Sequence, residues 1–82
     1  MYAVIPSPQF RRAYRKLDTP LQNEVDRTIG LLSDNPRHPS LHTHKRRGKG
    51  EVWQARVTRN CRLYFLMEGD TLTLISVGPH EK

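Results

Sequence analysis

The chain has 82 residues, one cysteine and a formal net charge of +6 at pH 7. That length supports one domain, residues 1–82, with a modest core. A single cysteine, Cys61, excludes an internal disulfide and agrees with a reducing cytoplasm. The opening "MYAVIPSPQF" has no basic flank and no long apolar run, so neither a signal peptide nor a membrane span is expected. The charge is concentrated. Residues 36–50 hold five Lys/Arg and no Asp/Glu, supplying +5 of the total, and three of the four histidines (His38, His42, His44). A focused cationic segment on a small domain predicts an anionic partner, nucleic acid or an acidic protein.

In chain order, Tyr2–Ile5 is a short β-prone run closed by Pro6. "SPQFRRAYRKL" reads as a helix, with Ser7 as N-cap and Pro8 in the first turn, where its missing N–H costs nothing. Phe10, Ala13, Tyr14 and Leu17 form its apolar stripe, opposite Arg11, Arg12, Arg15 and Lys16. A second helix is expected over "DTPLQNEVDRTIGLLSDN", capped by Thr19, with Leu21, Val25, Ile29 and Leu32 on one face. Gly30 weakens it locally, and Asn35-Pro36 ends it. The link between the helices is so short that they should pack as an antiparallel hairpin. Residues 36–50 read as a loop.

Three strands follow: Val52–Thr58, Cys61–Met67 and Thr71–Val77, the last apolar enough to be a central strand. The fold class is therefore α+β, in the order β-α-α-β-β-β. The last three strands form an antiparallel meander, and the helical hairpin packs on one face of the sheet. That face carries Trp53, Ala55, Val57, Leu63, Phe65 and Met67; Cys61 reads as structural.

The other face raises an electrostatic question. With Thr58-Arg59-Asn60 as the hairpin loop, Val57 pairs with Cys61 and Arg56 with Arg62. Like charges directly opposite are unfavourable. Either the two side chains splay into screening solvent, or a bound anion reverses the sign, since paired guanidiniums hold phosphate well. With Arg62 near Ser76 in register, His80 tends toward the same face and could exchange a proton near neutrality. Phosphodiester cleavage in RNA uses such a set: cations for the developing charge, a base for the 2′-OH and an acid for the leaving 5′-oxygen.

The run "NPRHPSLHTHKRRGKGEVWQARVTRNCRLYF" followed by "EGDTLTLISVGPH" resembles the RelE/ParE superfamily of bacterial type II toxins, over about Tyr2 to Glu81. The carriers are the NP-run after the second helix, the K-x-x-G loop, the W-x-x-R-V and R-L-x-F strands and the terminal V-G-x-H. The resemblance implies one of two activities. RelE-like and YoeB-like members enter the ribosomal A site and cut mRNA; ParE-like members inhibit DNA gyrase. Arg62, Arg56 and His80 match the nuclease branch as catalytic residues. The expectation is the toxin of a toxin–antitoxin pair, a ribosome-dependent, metal-independent mRNA endoribonuclease that inhibits translation. Its partners would be a cognate antitoxin, the ribosome and mRNA, with no direct DNA binding by this chain alone and no cofactor. The alternatives are a ParE-like gyrase inhibitor and a non-catalytic basic RNA-binding module.

Two departures from the YoeB-like pattern stand out. The region before the K-x-x-G loop reads "HPSLH", without the glutamate base, and no tyrosine follows His80. Glu51, His44 and His42 are the candidate general bases. Lys45, Arg46, Arg47 and Lys49 are expected to hold RNA phosphates; Tyr64, sharing the Arg62 face, either stacks on a base or is a partly exposed strand residue. The histidine spacing fits no standard metal pattern, so no metal site is expected.

Overall fold

The computed structural model of the chain describes residues 1–45 and 50–79. Strand β1 (Ala3–Pro6) leads into helix α1 (Pro8–Arg15) and helix α2 (Thr19–Asp34). A single 3₁₀ turn at Pro39–Leu41 precedes β2 (His44–Lys45), β3 (Val52–Thr58), β4 (Cys61–Glu68) and β5 (Thr71–Pro79). The sheet order is β1-β5-β4-β3-β2, which puts the apolar β5 inside the sheet and β4 at its centre. The expected meander is present, but the whole sheet is mixed: β1 lies parallel to β5, while the other neighbours are antiparallel. A parallel neighbour needs a long crossover, and the two helices supply one.

Local chemistry sets where α1 starts. Ser7 Oγ accepts the Phe10 N–H at 3.0 Å, as an N-cap does, and donates to the Ile75 carbonyl at 3.3 Å. The Ser7 N–H also reaches the Leu74 carbonyl at 2.9 Å, so one residue caps α1 and fixes it to β5. For α2 the cap is Asp18, not Thr19: Asp18 Oδ1 accepts the Leu21 N–H at 3.1 Å, and Thr19 and Pro20 lie inside the first turn. A carboxylate at this end also opposes the helix dipole, an advantage the threonine hydroxyl lacks. The helices run antiparallel, with Gln22 Nε2 donating to the Tyr14 carbonyl and the Tyr14 hydroxyl to Asp26 Oδ1 at 2.9 Å. That bond to the Asp26 carboxylate raises the Tyr14 pKa above its ordinary value. No helix among the described residues is long and apolar enough to cross a membrane.

The core lies between the sheet and the helices. Phe10, Val25 and Leu32 meet Leu63, Phe65 and Leu74, all buried. Burial raises the pKa of the Cys61 thiol within this core, which keeps it protonated and inert. The segment expected to be plain loop contributes as well. Leu41, in the 3₁₀ turn, is only 1% exposed, and His38 Nδ1 accepts the Ser40 N–H to start that turn. Trp53, expected in the core, is partly buried, with the Arg37 guanidinium 5.4 Å from its ring centroid.

Candidate active site on the outer face of the sheet

Strand alternation places Gln54 and Arg56 of β3 on the face away from the helices, with Arg62 and Tyr64 of β4. In β5, Tyr64 pairs with Ser76 and Phe65 with Leu74, so Ile75 is an extra residue. That bulge reverses the alternation: Leu72, Leu74 and Val77 all enter the core, while Ser76 and Gly78 join the outer face. Two adjacent rows result. One runs His44, Gln54, Tyr64, Ser76 across β2, β3, β4 and β5; the next runs Arg56, Arg62, Gly78.

The Arg56–Arg62 pair is present as expected, but the turn beside it differs. Thr58 pairs with Cys61, leaving Arg59-Asn60 as a two-residue loop and Val57 as a bulge; Val57 does not pair with Cys61. Neither loop residue has positive φ. Two-residue hairpins favour turns with positive φ because their twist matches that of the strands. The bulge absorbs the mismatch, and Arg62 completes the turn. Its Nη1 donates to the carbonyls of Thr58 at 2.8 Å, Cys61 at 3.1 Å and Arg59 at 3.2 Å. The like-charge contact is thus relieved inside the protein, because the Arg62 charge lies against carbonyl dipoles beyond Arg56. Nη1 makes all three contacts, so among the described residues Nε and Nη2 keep their N–H groups for another acceptor.

Arg62 likewise lies opposite Gly78 rather than Ser76, two residues further along β5 than expected. Tyr64 is only 8% exposed, which corrects the reading of it as a partly exposed strand residue. It stands on the central strand, with Gln54 and Ser76 on either side and Arg62 and Leu66 along its own strand.

The three candidate bases separate clearly. Lys45 pairs with Trp53 and so points to the opposite side of β2 from His44; its Nζ lies 3.3 Å from Glu51 Oε2. Glu51 is therefore paired with a cation away from the arginine row, and Lys45 is paired rather than free. His42 ends the 3₁₀ turn in the left-handed conformation, outside any strand. His44 alone holds a register position on the arginine face. Its Nδ1 lies 3.1 Å from the His42 carbonyl. A carbonyl can only accept, so Nδ1 is the donor, and in the neutral ring the lone pair is then on Nε2. His80, Arg46, Arg47 and Lys49 lie outside the described residues.

Gln54 was not singled out in the sequence, although alternation already placed it beside Arg56. As a residue it is 7% exposed.

No protein-family model and no curated protein matches the sequence. Solved structures do. YafQ from E. coli strain BL21(DE3) superposes with a TM-score of 0.81 at 16% identity, over 98% of this chain and 94% of that one. The toxin–antitoxin complex RelBE2 from Mycobacterium tuberculosis gives 0.80 at 23%, over 96% and 98%. The isolated E. coli RelE toxin gives 0.78 at 20%, over 100% and 87%. The chain has the fold of the RelE/ParE toxin superfamily. At these identities the likeness is one of fold.

Proposed function

We propose that this chain is the toxin of a toxin–antitoxin pair and cuts mRNA on the ribosome. The observation that carries the reading is the outer-face geometry: two paired arginines on the same face as a histidine whose Nδ1 is held by a carbonyl, so that Nε2 is the lone-pair nitrogen of the neutral ring. In this scheme a phosphodiester binds between Arg56 and Arg62, and the free N–H groups of Arg62 take the non-bridging oxygens as their charge builds. His44 Nε2 removes the 2′-OH proton, and the 2′-oxygen attacks phosphorus. The P–O5′ bond breaks, leaving a 2′,3′-cyclic phosphate on one fragment. His80, the acid suggested by the sequence resemblance, protonates the departing 5′-oxygen. The scheme requires no metal.

An antitoxin partner fits the basic outer row of α1, Arg11, Arg12, Arg15 and Lys16, all exposed. The RelBE2 neighbour is itself in a toxin–antitoxin complex. The test adds purified protein to translating ribosomes and maps mRNA ends. Cut mRNA with cyclic-phosphate ends is expected, with cutting falling about 100-fold or more in Arg56→Ala and His44→Ala. Intact mRNA together with inhibited DNA gyrase would overturn the nuclease reading in favour of the gyrase-directed alternative.

A further inference from the structure

Gly78 lies inside β5, where a glycine weakens the strand unless it marks a bulge, a bend, or the close approach of a backbone or a ligand. The β5 bulge is at Ile75, and from Val77 to Pro79 the pairing with β4 is regular. The Gly78 φ is not positive. A Cβ built at this position would meet nothing within 4 Å among the described residues. Conformation and packing give the glycine no role, which leaves the approach of a ligand as the use of the space.

The surroundings of Gly78 narrow the ligand. On one side it pairs with Arg62, at the end of the arginine row. On the other side the sheet stops: β1 pairs with β5 only as far as Leu74, so no strand separates the last residues of β5 from the first helix. A groove of about 370 Å³ opens there, lined by Gln9, Arg12 and Lys16 on the helix side and by Ser76, Gly78 and Pro79 of β5. No carboxylate is among the described residues lining it. Arg12 and Lys16 are exposed, one helical turn apart, and make no ion pair among the described residues. Gly78 thus belongs both to the arginine row and to the groove, and a side chain on it would stand between them. A polyanion crossing the β5 edge at Gly78 meets cations on both sides. RNA carries a phosphate at every nucleotide, so a strand with one phosphate at Arg62 brings a following one over Gly78. An acidic protein segment could occupy the groove alone, but it gives no use to the clearance beside Arg62.

We propose that the groove between α1 and β5 is a second phosphate subsite, which an RNA strand enters across Gly78 after leaving Arg62. The inference rests on the nuclease reading above for the first phosphate and extends the RNA track beyond it.

The probe is a fluorescently labelled 2′-O-methyl octauridylate, which has no 2′-OH and is not cut. It is titrated onto native and variant chains at several salt concentrations. Gly78→Val should weaken binding about 5-fold at about 0.1 M salt and lower the slope of log K against log salt by about 0.7, the loss of one single-strand phosphate contact. The substitution changes no charge, so a lower salt slope marks a phosphate kept from its cation, which a merely structural role would not produce. The melting temperature of Gly78→Val should equal or exceed that of the native chain, since valine favours a strand. Arg12→Ala/Lys16→Ala should give the same two changes, and adding Gly78→Val to it should weaken binding no further. Arg11→Ala/Arg15→Ala removes the same charge from the opposite side of α1, beside Asp26, and should weaken binding less. Equal losses in the two double variants overturn the subsite and leave α1 a general charge. A lowered melting temperature in Gly78→Val overturns the clearance. Native-like RNA binding by Gly78→Val and by Arg12→Ala/Lys16→Ala overturns the proposal, leaves the groove to an acidic protein segment and does not touch the nuclease reading. A native chain that cuts no mRNA loses the nuclease reading, while the binding differences decide the subsite by themselves.

Discussion

The two tight hairpins of the meander solve the same problem by different means. The β4–β5 turn, Gly69-Asp70, has a glycine at φ +57 in its first position. The backbone alone supplies the twist, and no side chain is needed. The β3–β4 turn, Arg59-Asn60, has no positive φ and relies on a bulge and on the Arg62 guanidinium over three carbonyls. One turn is built from conformational freedom and the other from a side chain that also belongs to the candidate active site. Under the proposed function, stability and chemistry would draw on the same residue at the β3–β4 end and be independent at the β4–β5 end.

Breaking Arg62 should produce the largest effect and should appear in both quantities. Arg62→Ala is expected to lower cleavage by about 100-fold or more and unfolding free energy by about 1–3 kcal/mol, the loss of charge-assisted hydrogen bonds to the turn. Cleaved ends and urea unfolding measure the two. The stability loss should shrink when the turn is rebuilt as R59N/N60G, because Asn-Gly adopts the favoured hairpin turn unaided. The cleavage loss should persist there. An unchanged stability loss in that background would show that Arg62 does not serve the turn.

Gly69→Ala breaks the other hairpin. A side chain at φ +57 is strained even in open space, at a cost of about 1–2 kcal/mol. Urea unfolding should register that cost while the pattern and rate of RNA cleavage remain as in the native chain. A parallel fall in cleavage under folding conditions would contradict the independence of the two ends.

Gly30→Ala is the control and the smallest change. Gly30 lies inside α2, and a methyl group added to it would meet nothing within 4 Å beyond its own helix. Alanine should raise stability by about 0.5–1 kcal/mol, since it restricts the unfolded chain and favours helix. The difference between the two hairpin variants should be the same in this background, as measured by paired denaturation curves.

Much of this architecture is legible in the residues. Ser7-Pro8 marks the start of α1, the apolar spacing of Phe10, Tyr14 and Val25 marks the buried helix faces, and period-two alternation places Arg56 opposite Arg62. These are local signals, readable because helix and strand periods impose them on the sequence. The rest depended on contacts between distant segments. β2 is two residues long and exists only because β3 offers it an edge, so nothing in His44-Lys45 marks a strand. The Ile75 bulge shifts which residues of β5 face outward, and the carbonyl it displaces is met by Ser7, 68 residues earlier in the chain. The sequence by itself determined β1, the two helices, the three meander strands and the presence of two arginines on one face. Tertiary structure alone decided that His44 joins them and that Glu51 turns away with Lys45. A strand's period fixes the side on which a residue lies, but only packing fixes what lies beside it.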